Sequence, residues 1–299
     1  MPSSSLNPIG IFYALLAYGS WGLLPIYWKL FGDVPAVEVL SHRMIWSLVF
    51  LLGLLVGQQR WGEFRAALGS PPRLRILLLT ATLIACNWGI YIYGVNSDRV
   101  VETSLGYYIN PLVTVLLGTV ILRERLNRVQ WVAVGLATVG VLHFIWNLGQ
   151  VPWIALGLAL SFAFYGLLRK VTAVAPMVGL AVETGAIAPV LLVLVGYWQV
   201  QGVGQFGSTL PLTLAFMGAG IVTSMPLLWF NNAAQRLPLS ALGFLQYIAP
   251  SLALLLGVFL YQEPFTHTHA VTFGCIWLAL GLYSVNLWWQ QRCVLRQVK

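Results

Sequence analysis

Ten apolar stretches follow one another along this 299-residue chain, each close to the roughly 20 residues that carry a helix across a bilayer core. They run approximately Ile9–Trp28, Val37–Gln58, Ile76–Val95, Thr103–Leu122 and Val129–Trp146, then Val151–Leu168, Met177–Trp198, Leu210–Asn232, Pro238–Tyr261 and Ala270–Trp289. Inside a bilayer every backbone N–H and C=O must be satisfied within its own segment or in a closed barrel. Barrel strands are about half this length and alternate in polarity, so these runs predict an all-α integral membrane protein with ten transmembrane helices. Composition excludes a soluble fold: 59% of residues are hydrophobic and 8% charged, against about 25% charged in a soluble domain.

A formal net charge of +8 raises nucleic acid as a partner. However, the Lys and Arg residues sit between the apolar runs and form no patch or stripe, so no nucleic-acid surface is expected. They obey the positive-inside rule instead. With a cytoplasmic N-terminus, 13 of the 16 fall in inside segments, Lys29 and Arg99 fall outside, and Arg43 lies within a span. An even number of crossings follows, with both termini cytoplasmic. Met1 to Gly10 has no basic n-region or small-residue cleavage site, so no cleaved signal peptide is expected. Cys86, Cys275 and Cys293 have neither CxxC spacing nor a suitably spaced His, so no disulfide framework, metal site or cofactor is expected.

The chain also repeats itself. Placing Pro111 on Pro250 brings Tyr108 onto Tyr247, Gly118 onto Gly257, Glu124 onto Glu263 and Gly135 onto Gly274, all 139 residues apart. A weaker echo sets Trp21-Gly22 against Tyr165-Gly166. Five spans per half is an odd number, so the second half is inverted. The turn after the first copy carries Arg123, Arg125 and Arg128, and the turn after the second carries no Lys or Arg, as opposite orientation requires. The expected units are a first five-helix repeat over 8–147, an inverted second repeat over 150–290, and a cytoplasmic tail over 291–299. Inverted repeats meeting near the midplane characterise many secondary transporters.

The stretches YALLAYGSWGLLPIYWK (13–29), HRMIWS (42–47), NWGIYIYGVN (87–96), ETSLGYYINPL (102–112) and LGFLQYIAPSLALLLGVFLYQEPF (242–265) resemble the RarD-type proteins of the EamA family, in the drug/metabolite transporter superfamily. The resemblance covers essentially the whole chain. It implies two inverted five-helix EamA-type repeats, a permease of the bacterial inner membrane, and transport of small metabolites or drugs. It implies no particular substrate. Arg123 and Pro264 flank the two repeated glutamates where other members often carry small residues, which touches only the local turn shape.

Charges within a span are costly, so each exception asks for a reason. Arg43, beside His42, reads as an anchor for an anionic or carboxylate-bearing substrate, or as a side chain that snorkels to the interface. Glu183 is an acid well within a span. It reads as a proton-coupling group or a partner for Arg43, against a protonated acid bonded to a neighbouring helix. His143, near a span end, reads as structural. Asn87, Trp88, Tyr91, Asn96, Tyr107, Tyr108 and Asn110, with Trp229, Asn231, Asn232, Gln246 and Tyr247, place amides and rings in central spans. Of these, Trp88, Tyr91, Tyr108 and Tyr247 lean towards a cavity; interhelical bonding and aromatic belts are the rival explanation. Trp28, Trp146, Trp288 and Trp289 read as belt residues. Pro111 and Pro250 read as hinges, and Glu124 and Glu263 as acids near helix N-termini. Gly53 and Gly57 allow close helix approach, with a monomer or a homodimer both open.

Together these features predict a secondary transporter, exporting or exchanging a small-molecule substrate by alternating access at the repeat interface, with membrane lipid around it. The alternative is a membrane-embedded lipid-handling protein, a flippase or transferase. Enzymes of that kind use clustered acids on metal-bound phosphate, and the eight acids here form no such cluster.

Overall fold

The computed structural model describes residues 7–97, 99–149, 151–262 and 266–297, among which there is no strand. Glu263 and Pro264 lie outside the described residues. The helices are α1 (Pro8–Trp28), α2 (Ala36–Gly57), α3 (Trp61–Leu68), α4 (Pro71–Asn96), α5 (Val100–Val120), α6 (Arg128–Leu148), α7 (Trp153–Val171), α8 (Pro176–Val200), α9 (Leu210–Arg236), α10 (Leu239–Gln246), α11 (Ile248–Leu255) and α12 (His267–Gln297). Nine spans among the described residues are long and apolar enough to cross a membrane, with α10 and α11 counted in one span. The protein is therefore a multi-pass membrane protein. The 21-residue α5 is absent from that set; it carries Glu102, Tyr107, Tyr108, Asn110 and Pro111.

Local chemistry sets the helix ends. Asn7 Oδ1 accepts from the backbone of Ile9 and Gly10, and Pro8 occupies the first turn of α1, where its missing N–H costs nothing. Asn127 and Gln130 form a reciprocal capping box on α6, and Gly149 ends that helix in the left-handed conformation. The short α3 lies in the connection between the second and third apolar runs. Arg60 donates to both Glu63 oxygens at its start, at 2.7 and 2.6 Å, and this bonding lowers the Glu63 carboxyl below its ordinary pKa. At the other end of the chain, α12 continues through Gln297, so most of the expected tail is helical.

Packing follows membrane rules: small and polar residues lie inside, large aliphatic ones outside. On α1, Ala14, Ala17, Tyr18 and Gly22 are buried, while Ile9, Phe12, Leu15, Leu23 and Ile26 face out. Gly220 lets α9 lie directly on α2: a Cβ there would sit 2.6 Å from Ser47 N, and Ser47 Oγ donates to the Gly220 carbonyl at 3.0 Å. Gly53 and Gly57 meet no neighbouring helix.

The main helix pairs are α1 with α9 and α11, α2 with α8 and α9, α4 with α7 and α8, α5 with α7 and α10, and α6 with α12. The near face, where α1 begins, and the far face, where it ends, are bridged by α5. At the far face Glu102 Oε1 accepts from Ile154 N at the start of α7, at 2.8 Å. At the near face Glu124, just past α5, accepts from Leu239 N (2.6 Å), Ser240 N (2.8 Å) and Ser240 Oγ (2.6 Å). Glu124 thus caps a helix N-terminus, as its type favours, but that of α10 rather than of the following α6.

The two repeated prolines behave differently. Around Pro111, α5 runs unbroken. Pro250 lies just past a break at Tyr247 that divides α10 from α11, and a π turn over Leu256–Leu260 follows. Proline removes the bond to the residue four back, here Gln246, the last residue of α10.

Candidate functional site

Arg43 stands in α2 towards the far face, its guanidinium 5.4 Å from the Trp28 ring and 5.3 Å from the Trp88 ring. Tyr91 and Tyr107 are within its electrostatic reach, and its Nε has no hydrogen-bond partner. Tyr107 is 53% exposed and Tyr91 38%. Tyr107 lies two helical turns from Thr114 and shares its face, and Thr114 reaches Gln246 on α10 across the bundle. The open side of Tyr107 therefore faces inward, towards Arg43, and the side chains of Trp28, Arg43, Trp88, Tyr91 and Tyr107 frame the candidate cleft. At the far end of α1, Lys29 Nζ lies over the Tyr261 ring, 3.2 Å from its centroid.

Deeper in the bundle, Thr114 Oγ1 stands 3.4 Å from both Asn110 Oδ1 and Gln246 Oε1. Both amides are buried. Tyr247 donates through its hydroxyl to the Tyr108 carbonyl, while the Tyr108 ring packs on Phe144 and Phe273. These two tyrosines bind helices together rather than line the cleft. Asn87 likewise donates to the Leu158 carbonyl and Ser161 Oγ, both at 2.9 Å, clamping α4 to α7. His42 faces away from Arg43 into an aromatic cluster, stacked on Phe206 at 4.7 Å and packed on Phe216 at 4.4 Å. Trp229 is half-buried against the main apolar core. Of the candidates from the sequence, the cleft gathers Arg43, Trp88 and Tyr91, with Asn110 and Gln246 beneath.

A second polar cluster lies towards the near face. Glu183 is 1% exposed and its partner is Arg169, not Arg43: Arg169 Nε stands 3.6 Å from Glu183 Oε1. Thr80 Oγ1 lies 2.6 Å from the same oxygen and 2.9 Å from the Leu77 carbonyl. Tyr165 donates to Glu183 Oε2 at 3.2 Å and accepts from Asn231 at 3.1 Å. Arg169 is fully buried and also donates to the Pro176 carbonyl. It owes its place to Gly179, where any Cβ would collide with the guanidinium. The cluster joins α4, α7, α8 and α9. Beside it Lys170 Nζ donates to the Ala234 and Leu237 carbonyls, next to a surface cavity of about 360 Å³ lined by Thr172, Val174 and Gln235.

Three contributors escape a reading of the sequence. Trp28 looks like a belt residue, Tyr107 is indistinguishable from its neighbour Tyr108, and Arg169 counts as a topological charge. Position at a span end hides the first and last. Among the described residues no three His, Cys, Asp or Glu side chains come together to hold a metal.

The family model for EamA-like transporters matches residues 8–146. A protein named RarD from Salmonella typhi is 45% identical over 95% of this chain and 97% of its own. An uncharacterized transporter, YojE of Bacillus subtilis, is 44% identical over 93% of this chain and 94% of its own. A protein from Pseudomonas aeruginosa named chloramphenicol-sensitive protein RarD is 30% identical over 91% and 92%. A crystal structure 18% identical in sequence shares the fold, with a TM-score of 0.71 over 93% of this chain and 98% of that one.

Proposed function

The chain belongs to the EamA-like transporter family, in its RarD-type branch, and from that premise we propose a small-solute permease that works by alternating access. In this reading the protein crosses the bacterial inner membrane ten times, α5 being the tenth crossing, with both termini cytoplasmic. Residues 8–147 and 150–290 are two halves of opposite orientation, and substrate occupies the space between them.

One observation carries the reading. Exchange α1 with α7, α2 with α8, α4 with α9, α5 with α10–α11, and α6 with α12. The packed pair α1·α9 then becomes α7·α4, α2·α9 becomes α8·α4, and α1·α11 becomes α7·α5. The pairs α2·α8, α5·α10 and α6·α12 map onto themselves. A bundle whose interfaces survive this exchange has two packings of equal design, one open to each side, as alternating access needs. Here the cleft at Arg43 is the open side and the Arg169–Glu183 cluster the closed one.

Glu183 supplies the proposed coupling to protons. Ionised, it holds Arg169 and accepts from Thr80. Protonated, it donates to Thr80 Oγ1, whose single proton then serves the Leu77 carbonyl. Both states leave the carboxyl satisfied, and only the first keeps the ion pair across the closed side. Relatives carrying transporter names favour a permease over a lipid transferase.

The reading is tested in a cysteine-free background by labelling Tyr107→Cys with a membrane-impermeant thiol reagent applied from each side. Reaction from the periplasm alone is expected, and an intramolecular cross-link that pins the cleft should stop flux. Equal labelling from both sides, or none, sinks it.

A further inference from the structure

Arg43 is a guanidinium inside a membrane span, and among the described residues it has no carboxylate within ion-pair distance. The described acids lie elsewhere. Glu38 accepts from Gln205 N, Glu63 pairs with Arg60, Glu102 pairs with Arg99, Glu124 caps α10, Glu183 holds Arg169, and Asp33 is exposed in the turn after α1. Ring faces of Trp28 and Trp88 meet the guanidinium instead. Cation–π contact makes up part of the lost hydration, yet it leaves the net charge and the Nε donor unanswered. An isolated charge at this depth is costly and is best offset by an anion that takes the planar donor fork. The surrounding Tyr91 and Tyr107 offer ring surface and hydroxyls but no negative charge. A second cation, Lys29, stands at the far end of the neighbouring helix.

We propose that the solute is an organic anion with a planar apolar body, its acid group on Arg43 and its ring among Trp28, Trp88, Tyr91 and Tyr107. The proposal rests on the permease reading and names its substrate class. The same arrangement disfavours cationic drugs, which the Arg43 charge repels with no carboxylate beside it among the described residues to offset it.

The test uses purified full-length protein in detergent, with indole-3-acetate as the planar anion, tryptamine as the same ring bearing a cation, and chloride as the small inorganic anion. Indole-3-acetate is expected to raise the melting midpoint of the wild type by several degrees, and tryptamine and chloride to leave it in place. Arg43→Gln should abolish the shift. Arg43→Lys, which keeps the charge and loses the planar fork, should weaken the apparent affinity at least tenfold. Stabilisation by tryptamine, an equal shift with chloride, an undiminished shift in Arg43→Gln, or no shift with indole-3-acetate each overturns the proposal. Flux in proteoliposomes separates it from the reading beneath it. Anion binding without flux removes the permease and leaves the anion site; flux of a cationic solute indifferent to Arg43 does the reverse.

Discussion

The hydroxyl of Tyr247 donates to the backbone carbonyl of Tyr108 at 3.2 Å, joining two residues that stand 139 positions apart, the interval that relates the repeat copies. Each lies three residues before a repeated proline. The bond therefore ties α5 to the break between α10 and α11.

Tyr247→Phe should lower stability by about 0.5–1.5 kcal/mol, the net worth of one hydrogen bond, read as a fall in melting midpoint. Tyr108→Phe leaves this bond intact, because the acceptor is a backbone oxygen. Equal loss in the two variants would show that the bond from Tyr247 to the Tyr108 carbonyl does not set the stability of this contact.

Breaking the buried ion pair should be far more costly than removing it whole. Glu183→Gln or Glu183→Ala leaves Arg169 buried without its counter-charge, an effect of about 3–5 kcal/mol in comparable sites. The double variant Arg169→Met with Glu183→Leu should recover much of that loss. Additive midpoints across the four proteins of the cycle would mean that the pair is not coupled.

Gly179→Ala should mimic loss of Arg169, because the added methyl occupies the guanidinium's place. A destabilisation of about 1–3 kcal/mol is expected, as for overpacking elsewhere. In an Arg169→Ala background the same change should cost almost nothing, since the collision is gone. A full cost there would refute the steric account.

If Glu183 carries the coupling proton, Glu183→Gln makes flux independent of the proton gradient while Thr80→Val only shifts its pH dependence. Flux measured in proteoliposomes between pH 5.5 and 8, as a chosen range, decides this. An unchanged pH profile in Glu183→Gln removes the residue from any coupling role.

Pro250→Ala should allow α10 and α11 to join, because the alanine N–H can reach the Gln246 carbonyl. Flux should fall if the break works as a hinge, while stability is held or raised. Pro111→Ala should do less, since α5 is continuous already. Equal effects at the two sites would argue that the repeat, and not the break, sets their role.

Spans, their class and the interval of 139 residues are legible in the sequence, because bilayer thickness fixes helix length and composition alone separates lipid from water. Chain order and turn length then fix how consecutive helices alternate. The rotation of each helix about its axis is not legible. In water an apolar face must turn inward, so periodicity reports the core. In lipid a leucine is as well solvated outside as inside, which is why α1 shows Phe12 and Leu23 to the surroundings and buries Ala17 and Gly22. That rotation decided which of Tyr107 and Tyr108 faces the cleft, turned His42 away from Arg43, and sent Asn87 to α7. It also decided the partner of Glu183, since Arg169 at a helix end is a topological charge until Gly179 on the next helix opens a place for it. Sequence by itself determined that the chain is an all-helical membrane protein, roughly where its apolar spans fall and which segments echo each other. Only the tertiary structure decided which charges meet, because that choice rests on small-residue gaps between helices, which bilayer solvation leaves unspecified.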